Sequence, residues 1–463
     1  MKGRPVKTLG QIALRIGIAY FVCLAICTGL LTAAYCTPTS LMRSNVEESI
    51  LSLKNEGSIY HMIDGGENWR LDNFTVAIML NVACHGDSDP LHNTFWSPLV
   101  GTSENGYDPI QRLETGLGQP DDGEGRTSYM RYWHGYAVVL KPLLCLLNLT
   151  QIRMAFLMIL SGMILVAAIM LSKREGTVVA VLFGTSFVAF NYIVATFSLS
   201  FVFCLFIAVG ASIMVLAKAD TSSDANARFL CLEWCVPFFA WGALTSYLDF
   251  LTIPIVTLCI PLGLFLFLRR ACIRTDNLLG MFAFVCSMCL CWGLGYASIW
   301  ASKWVLSSLI THQDVIRNAL RDAQVRTGHE STLANDSATI GPLDAPLANL
   351  RLAFPFWSAV LLIAAMAIAV IPPVRRFLSP SLPRQAASWC WMLPALAVAL
   401  LPYAWYLFAP SHSFDHCWFT YRAQLGSLLC LFYVLADRFG THMAPQKQGS
   451  CYGKHMTKGS IRA

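Results

Sequence analysis

The chain has 463 residues, of which 56% are hydrophobic and 13% charged; its formal net charge is +6 and its mean hydropathy +0.54. A soluble globular domain carries about 25% charge, so the composition excludes a water-soluble fold, a disordered chain, collagen and a coiled coil. The small positive excess is too weak for a nucleic-acid partner and reads as loop topology.

The first apolar run, Ile12–Tyr35, follows Lys2, Arg4 and Lys7. It is long enough for a hydrocarbon core of about 30 Å, and no small-residue cleavage site follows it. Residues 1–36 are therefore expected to be a cytoplasmic tail and an uncleaved first span.

Residues 37–130 form a polar stretch outside the cytoplasm, with 14 of the chain's 27 acidic residues. Within it, Leu41–Leu53 has the apolar spacing of an interfacial helix. Residues 131–150 are expected to lie on the outer face as an interfacial or re-entrant helix. Lys141-Pro142 interrupts that run, and a full crossing there would invert every later loop.

Residues 151–437 read as a transmembrane bundle. Spans are predicted near Ile152–Leu171, Thr177–Thr196, Leu199–Leu216, Phe229–Tyr247, Leu251–Leu268, Leu278–Trp300, Leu352–Ile371, Ala387–Phe408 and Tyr421–Ala436. The basic loops Lys173-Arg174, Arg269-Arg270 and Arg375-Arg376 fall on one side with the basic tail, residues 438–463. The fold class is thus an all-α polytopic membrane protein with about ten transmembrane helices, a large extracytoplasmic first loop and interfacial helices. The location is the cell membrane, with both termini cytoplasmic. Most of the 17 Cys lie in apolar runs, such as Cys286, Cys289 and Cys291, and read as small hydrophobes.

Ionisable residues beside spans are costly and point to function. Asp72, before the apolar run Val76–Ala83, is either a helix cap or a general base, in which case Asn73 is the cap. Asp64, before two glycines, is the alternative carboxylate. Asp249 is the only formal charge between Glu233 and Arg269. In Arg131-Tyr132-Trp133-His134, an interfacial belt or a lipid-phosphate contact is expected. His412 and His416 are four apart and share a helix face, which leaves a divalent cation open; no His-Glu-x-x-His pattern supports zinc. Arg422 is expected at the mouth of the last span, suited to bidentate phosphate contact. Lys303-Trp304 would join it. No cytoplasmic nucleotide-binding loop is present, and no internal repeat is visible.

This layout resembles the GT-C class of integral-membrane glycosyltransferases, with many spans, a large first outer loop and interfacial helices beside it. The segments Arg131–Leu144, Gly242–Leu262 and His412–Arg422 also look like pieces of uncharacterised polytopic proteins of Gram-positive bacteria. The GT-C resemblance implies a polyprenyl-phosphate-linked sugar donor and a cell-envelope acceptor. It implies that Asp72, ahead of Asp249 and Asp64, activates the acceptor hydroxyl. Arg422, with Arg131 or Lys303, would hold the donor phosphate, among Trp133, His134, Trp304, His412 and His416. The competing expectation is a transporter or flippase for a lipid-linked or small anionic solute.

Overall fold

Helix α1 (Arg4–Tyr35) has apolar residues on every face. Leu14, Ile18, Phe21, Val22, Ile26 and Leu30 are exposed, whereas Cys27, Leu31 and Tyr35 are buried. Helix α7 (Leu149–Glu175) repeats the pattern: Ile152, Phe156, Leu160 and Ile164 face inward, and Met158, Ile159, Leu165 and Val166 face out. An apolar outer face costs water contact and suits hydrocarbon. The computed structural model describes residues 4–86, 88–103, 107–117, 125–218, 227–270, 278–331, 339–354 and 391–439.

The described residues are mostly helical. Four helices are long and apolar enough to cross a membrane: Gly10–Tyr35 of α1, α7, the 34-residue α13 (Leu278–Thr311) and the continuous turn Cys417–Asp437. Several other expected spans are helices shorter than about 18 residues, the usual lower bound for a crossing. Among them are α8 (Thr177–Ala189), α10 (Val202–Lys218) and α12 (Val256–Leu268). The expected span Thr177–Thr196 is broken, because Asn191 takes a left-handed conformation (φ 51°) between α8 and α9 (Tyr192–Phe197). The expected span Leu352–Ile371, beyond its first three residues, and the tail beyond residue 439 lie outside the described residues. Within residues 132–147 the helix, α6 (Ala137–Leu144), has 8 residues, fewer than a crossing needs.

The segment 37–130 shares the core of the bundle. It contains α2 (Arg43–Glu56), β1 (Ile59–His61), β2 (Arg70–Asp72), α3 (Asn73–Cys84), α4 (Pro90–Trp96), β3 (Pro98–Leu99), α5 (Pro109–Leu117) and β4 (Thr127–Ser128). The strands form two small antiparallel pairs, β1–β2 and β3–β4. Val46, Met79 and Phe95 belong to the same buried apolar cluster as Phe156 and Trp292. Helix α3 is buried nearly all round. Asn81 fixes it to the strand beside it, giving its amide to the Val100 carbonyl (2.8 Å) and taking the Val100 N–H (2.9 Å).

Helices α11 (Ala227–Leu248) and α13 run parallel and pack through two glycines. A β-carbon on Gly242 would overlap the Trp292 carbonyl oxygen, and one on Gly295 would overlap that of Phe239. Close backbone approach of this kind gives dispersion contact that larger residues forbid.

After α13 come α14 (Val315–Arg326) and α15 (Asp344–Ala353), then α16 (Met392–Ala399), α17 (Leu401–Phe408), α18 (Pro410–Asp415), α19 (Cys417–Thr420) and α20 (Leu425–Phe439). A 3-10 turn, Tyr421–Gln424, joins the last two.

Candidate functional site

Asp72 closes β2 and caps α3. One carboxylate oxygen accepts the Thr75 N–H (3.1 Å), and the other accepts the Ser200 hydroxyl (3.1 Å). Its own N–H donates to the Ser198 hydroxyl (3.0 Å). Of the two readings of Asp72 the cap is the one seen, and Asn73 is not the cap. Asn73 instead donates to Glu56 and the Gly57 carbonyl, and accepts from Arg153 (2.8 Å). Burial raises the Asp72 pKa, opposed by the bonds from Thr75 and Ser200 and by Arg70.

Asp249 sits in the connection between α11 and α12. Its carboxylate accepts the Thr252 N–H (2.9 Å) and the Thr252 hydroxyl. That hydroxyl also reaches the Ser200 carbonyl (3.5 Å). Ser200 therefore contacts Asp72 through its side chain and the Asp249 turn through its backbone. Burial pushes Asp249 up to about 6, against the lowering effect of Thr252.

The same turn forms part of a cavity wall. Leu251 holds a left-handed backbone (φ 64°), strained for a γ-branched residue. Its carbonyl accepts from His412 Nε2 (2.7 Å). The other ring nitrogen, Nδ1, lies 2.8 Å from Arg326 Nη1. A guanidinium only donates, so Nδ1 accepts and Nε2 carries the proton. Burial holds His412 well below the usual histidine range, with His416 and Arg326 adding to it. Both nitrogens are engaged, so His412 is not poised as a metal ligand. Among the described residues no group of three His, Cys, Asp or Glu is arranged to hold a metal ion.

Arg326 also pairs with Asp322 (2.9 Å), and Asp322 pairs with Arg131 (3.1 Å). Two guanidiniums thus share one carboxylate, which leaves one positive charge. Trp300 and Trp304 fix the backbone there, donating to the Arg131 carbonyl at 2.7 and 3.0 Å. Around these groups lies a cavity of about 120 Å³, walled by Leu251, Trp300, Trp304, Trp405 and Phe408. Trp405 Nε1 is buried without a partner among the described residues. Arg131 also lines a second, polar cavity of about 270 Å³, with Tyr129, Gln313, Asp314 and Asn318.

The structure thus brings Arg131, Trp304 and His412 to one place, with Asp249 just behind the wall and Asp72 linked to it through Ser200. Other expected site residues lie elsewhere. Asp64 is in an exposed turn. Trp133 is a core residue whose indole donates to the Ile299 carbonyl (2.6 Å). His134 is buried, with its nitrogens on the Tyr136 hydroxyl (2.9 Å) and Tyr129 carbonyl (2.6 Å). Burial, helped by Lys303, pushes it down to about 3. Lys303 points inward, donating to the Thr94 carbonyl (2.6 Å) and Ser97 hydroxyl (3.1 Å). His416 stacks on Phe419 at 5.3 Å, and burial brings it to about 4. Arg422, expected at the mouth of the last span, is buried. It donates to the carbonyls of Asn68 (2.9 Å) and Trp418 (3.2 Å) and lies over the Tyr421 ring (4.7 Å).

Arg326 and Asp322 escaped the sequence reading, although their four-residue spacing on an amphipathic run was visible. No family model matches this chain, and no curated protein or solved structure matches it.

Proposed function

We propose that this protein is a multi-pass membrane glycosyltransferase using a polyprenyl-phosphate-linked sugar at the extracytoplasmic face to modify a cell-envelope glycan or lipid. The observation that carries the reading is the tryptophan-walled cavity in which Arg131 and Arg326 share Asp322. The basic loops Lys173-Arg174 and Arg269-Arg270 then face the cytoplasm, with both termini.

Transfer requires three things of this site. The acceptor hydroxyl gives its proton to Asp249, whose raised pKa suits a base working near neutrality. The acceptor oxygen bonds to the anomeric carbon while the bond from that carbon to the phosphate oxygen breaks. The electron pair leaves with the polyprenyl phosphate, and Arg131 and Arg326 stabilise the charge. Asp72 acts through Ser200 to hold the Asp249 turn. The indoles offer apolar faces to the carrier or the sugar ring.

Every such transfer releases a polyprenyl phosphate, whatever the sugar. Undecaprenyl phosphate is therefore the direct probe, tested on the purified protein in nanodiscs by thermal shift. It should bind, undecaprenol should bind far less, and Arg131→Gln with Arg326→Gln should weaken the phosphate by about tenfold to a hundredfold, as two charge-assisted contacts warrant. Equal binding of phosphate and alcohol, unchanged in the double variant, would remove the assignment.

A further inference from the structure

We infer that α14 is a membrane-surface helix whose outer flanks dock on an anionic lipid bilayer. The inference rests on the reading of α13 as a span, and on nothing about glycosyl transfer.

Helix α13 has 34 residues, about 51 Å at 1.5 Å per residue. That exceeds a hydrocarbon core of about 30 Å, so the helix reaches the headgroup level. Helix α14 begins within four residues of its end. His312 supplies the left-handed turn (φ 54°), and Asp314 caps the new helix through the Arg317 N–H (3.0 Å).

The faces of α14 divide cleanly. Val315 and Ala319 are buried, and Asp322 and Arg326 point to the cavity on the same side. Next around the helix come Ile316 and Leu320, four residues apart, the latter 51% exposed. This flank adjoins Ala319 and Ala323, which line the cavity with Phe408, itself 65% exposed. Leu309 and Leu407, near the ends of α13 and α17, are also exposed. Beyond the apolar flank come Arg317 and Arg321, again four apart and exposed. Neither has a carboxylate within 4.0 Å among the described residues. The nearest acid on the helix, Asp322, is taken by Arg131 and Arg326.

An apolar flank beside a flank of exposed arginines, at the end of a span, is the composition that seats in a headgroup layer. Charge complementarity selects anionic lipid over a zwitterionic surface or an acidic protein face. The cavity-facing side of the same helix carries Arg326, so the seated helix also holds that guanidinium at headgroup depth.

The test places photoreactive benzoylphenylalanine in the full chain, in nanodiscs of equal parts phosphatidylcholine and phosphatidylglycerol. It replaces Leu320, the exposed Asn318 or, as a mid-span control, the exposed Leu290. Lipid adducts are counted by mass spectrometry. Adducts should form at 290 and at 320, with the yield at 320 about tenfold above that at 318, which lies about 160° around the helix from 320, on the side of the polar cavity. Arg317→Gln with Arg321→Gln should bring the phosphatidylglycerol share of adducts at 320 down to the bulk composition. Adducts at 290 with equal yields at 320 and 318 would overturn the docking of α14 while leaving the span intact. An unchanged lipid share in the arginine variant would overturn the anionic preference. No adduct at 290 would overturn the span and the docking together.

Discussion

Two sets of cations near one end of the bundle look alike in sequence and differ in structure. In the first set, each cation is alone and buried on backbone carbonyls. Lys141 donates to Ala83 (2.7 Å) at the end of α3, Lys303 to Thr94 near the end of α4, and Arg422 to Asn68 and Trp418. Helix C-termini present unsatisfied carbonyls and a negative partial charge, which a buried ammonium meets without any acid. In the second set, Arg131 and Arg326 flank Asp322 and line an open cavity. Aromatic rings lie beside both sets, as Trp133 does beside Lys303 and Tyr129 beside Arg131. What separates them is the partner. A cation turned onto backbone carbonyls holds the fold, whereas two cations sharing one carboxylate keep charge for a ligand.

The sharpest way to break that contrast is through the acids behind it. Asp249→Asn should lower transfer, measured as polyprenyl phosphate released, by roughly two to four orders of magnitude. Asp72→Asn keeps a capping side chain, and its stability cost should be at most about 1 kcal/mol. Reversed ranks would return the base to Asp72.

Lys303→Met comes next. It strands the Thr94 carbonyl and should cost about 1–3 kcal/mol of stability, read as a lowered Tm, with undecaprenyl phosphate affinity unchanged. Lost affinity at unchanged Tm would move Lys303 into the ligand-facing set.

The smallest effect is in pH. A base with a pKa of about 6 gives a rate that rises with pH through that value. Stability runs the other way. The folded pKa lies above the ordinary carboxylate value of about 4, so the folded state holds more proton between the two. Ionising Asp249 therefore opposes the fold, and its contribution falls as pH rises from about 4 through about 6. Asp249→Asn should remove this slope from a Tm-against-pH series; an unchanged slope would assign it to other groups.

Much of the helical plan was readable from apolar runs. The expected Ile152–Leu171 lies inside α7, Leu278–Trp300 inside α13, and Leu41–Leu53 largely within α2. The Lys141-Pro142 break falls in a helix of only 8 residues. The site was only half readable. Asp249 stood out because an isolated acid in an apolar stretch must find partners. Lys303 and Arg422 misled, because position along a span does not say whether a side chain turns inward to a carbonyl. Asp322 and Arg326 were missed because their meaning comes from Arg131, nearly two hundred residues away in the chain.

The glycine contact between α11 and α13 has a mechanical consequence. With Gly242 against Trp292 and Gly295 against Phe239, the two helices are clamped at matched points and behave as one stiff beam. Asp249 hangs just past the end of one arm, seven residues beyond Gly242, and Trp304 sits nine residues beyond Gly295 on the other, about 10 and 14 Å out. Any side chain wedged into the clamp would swing both tips apart, so the spacing between the acid and the indole wall is set far from either, by two residues that have no side chain at all.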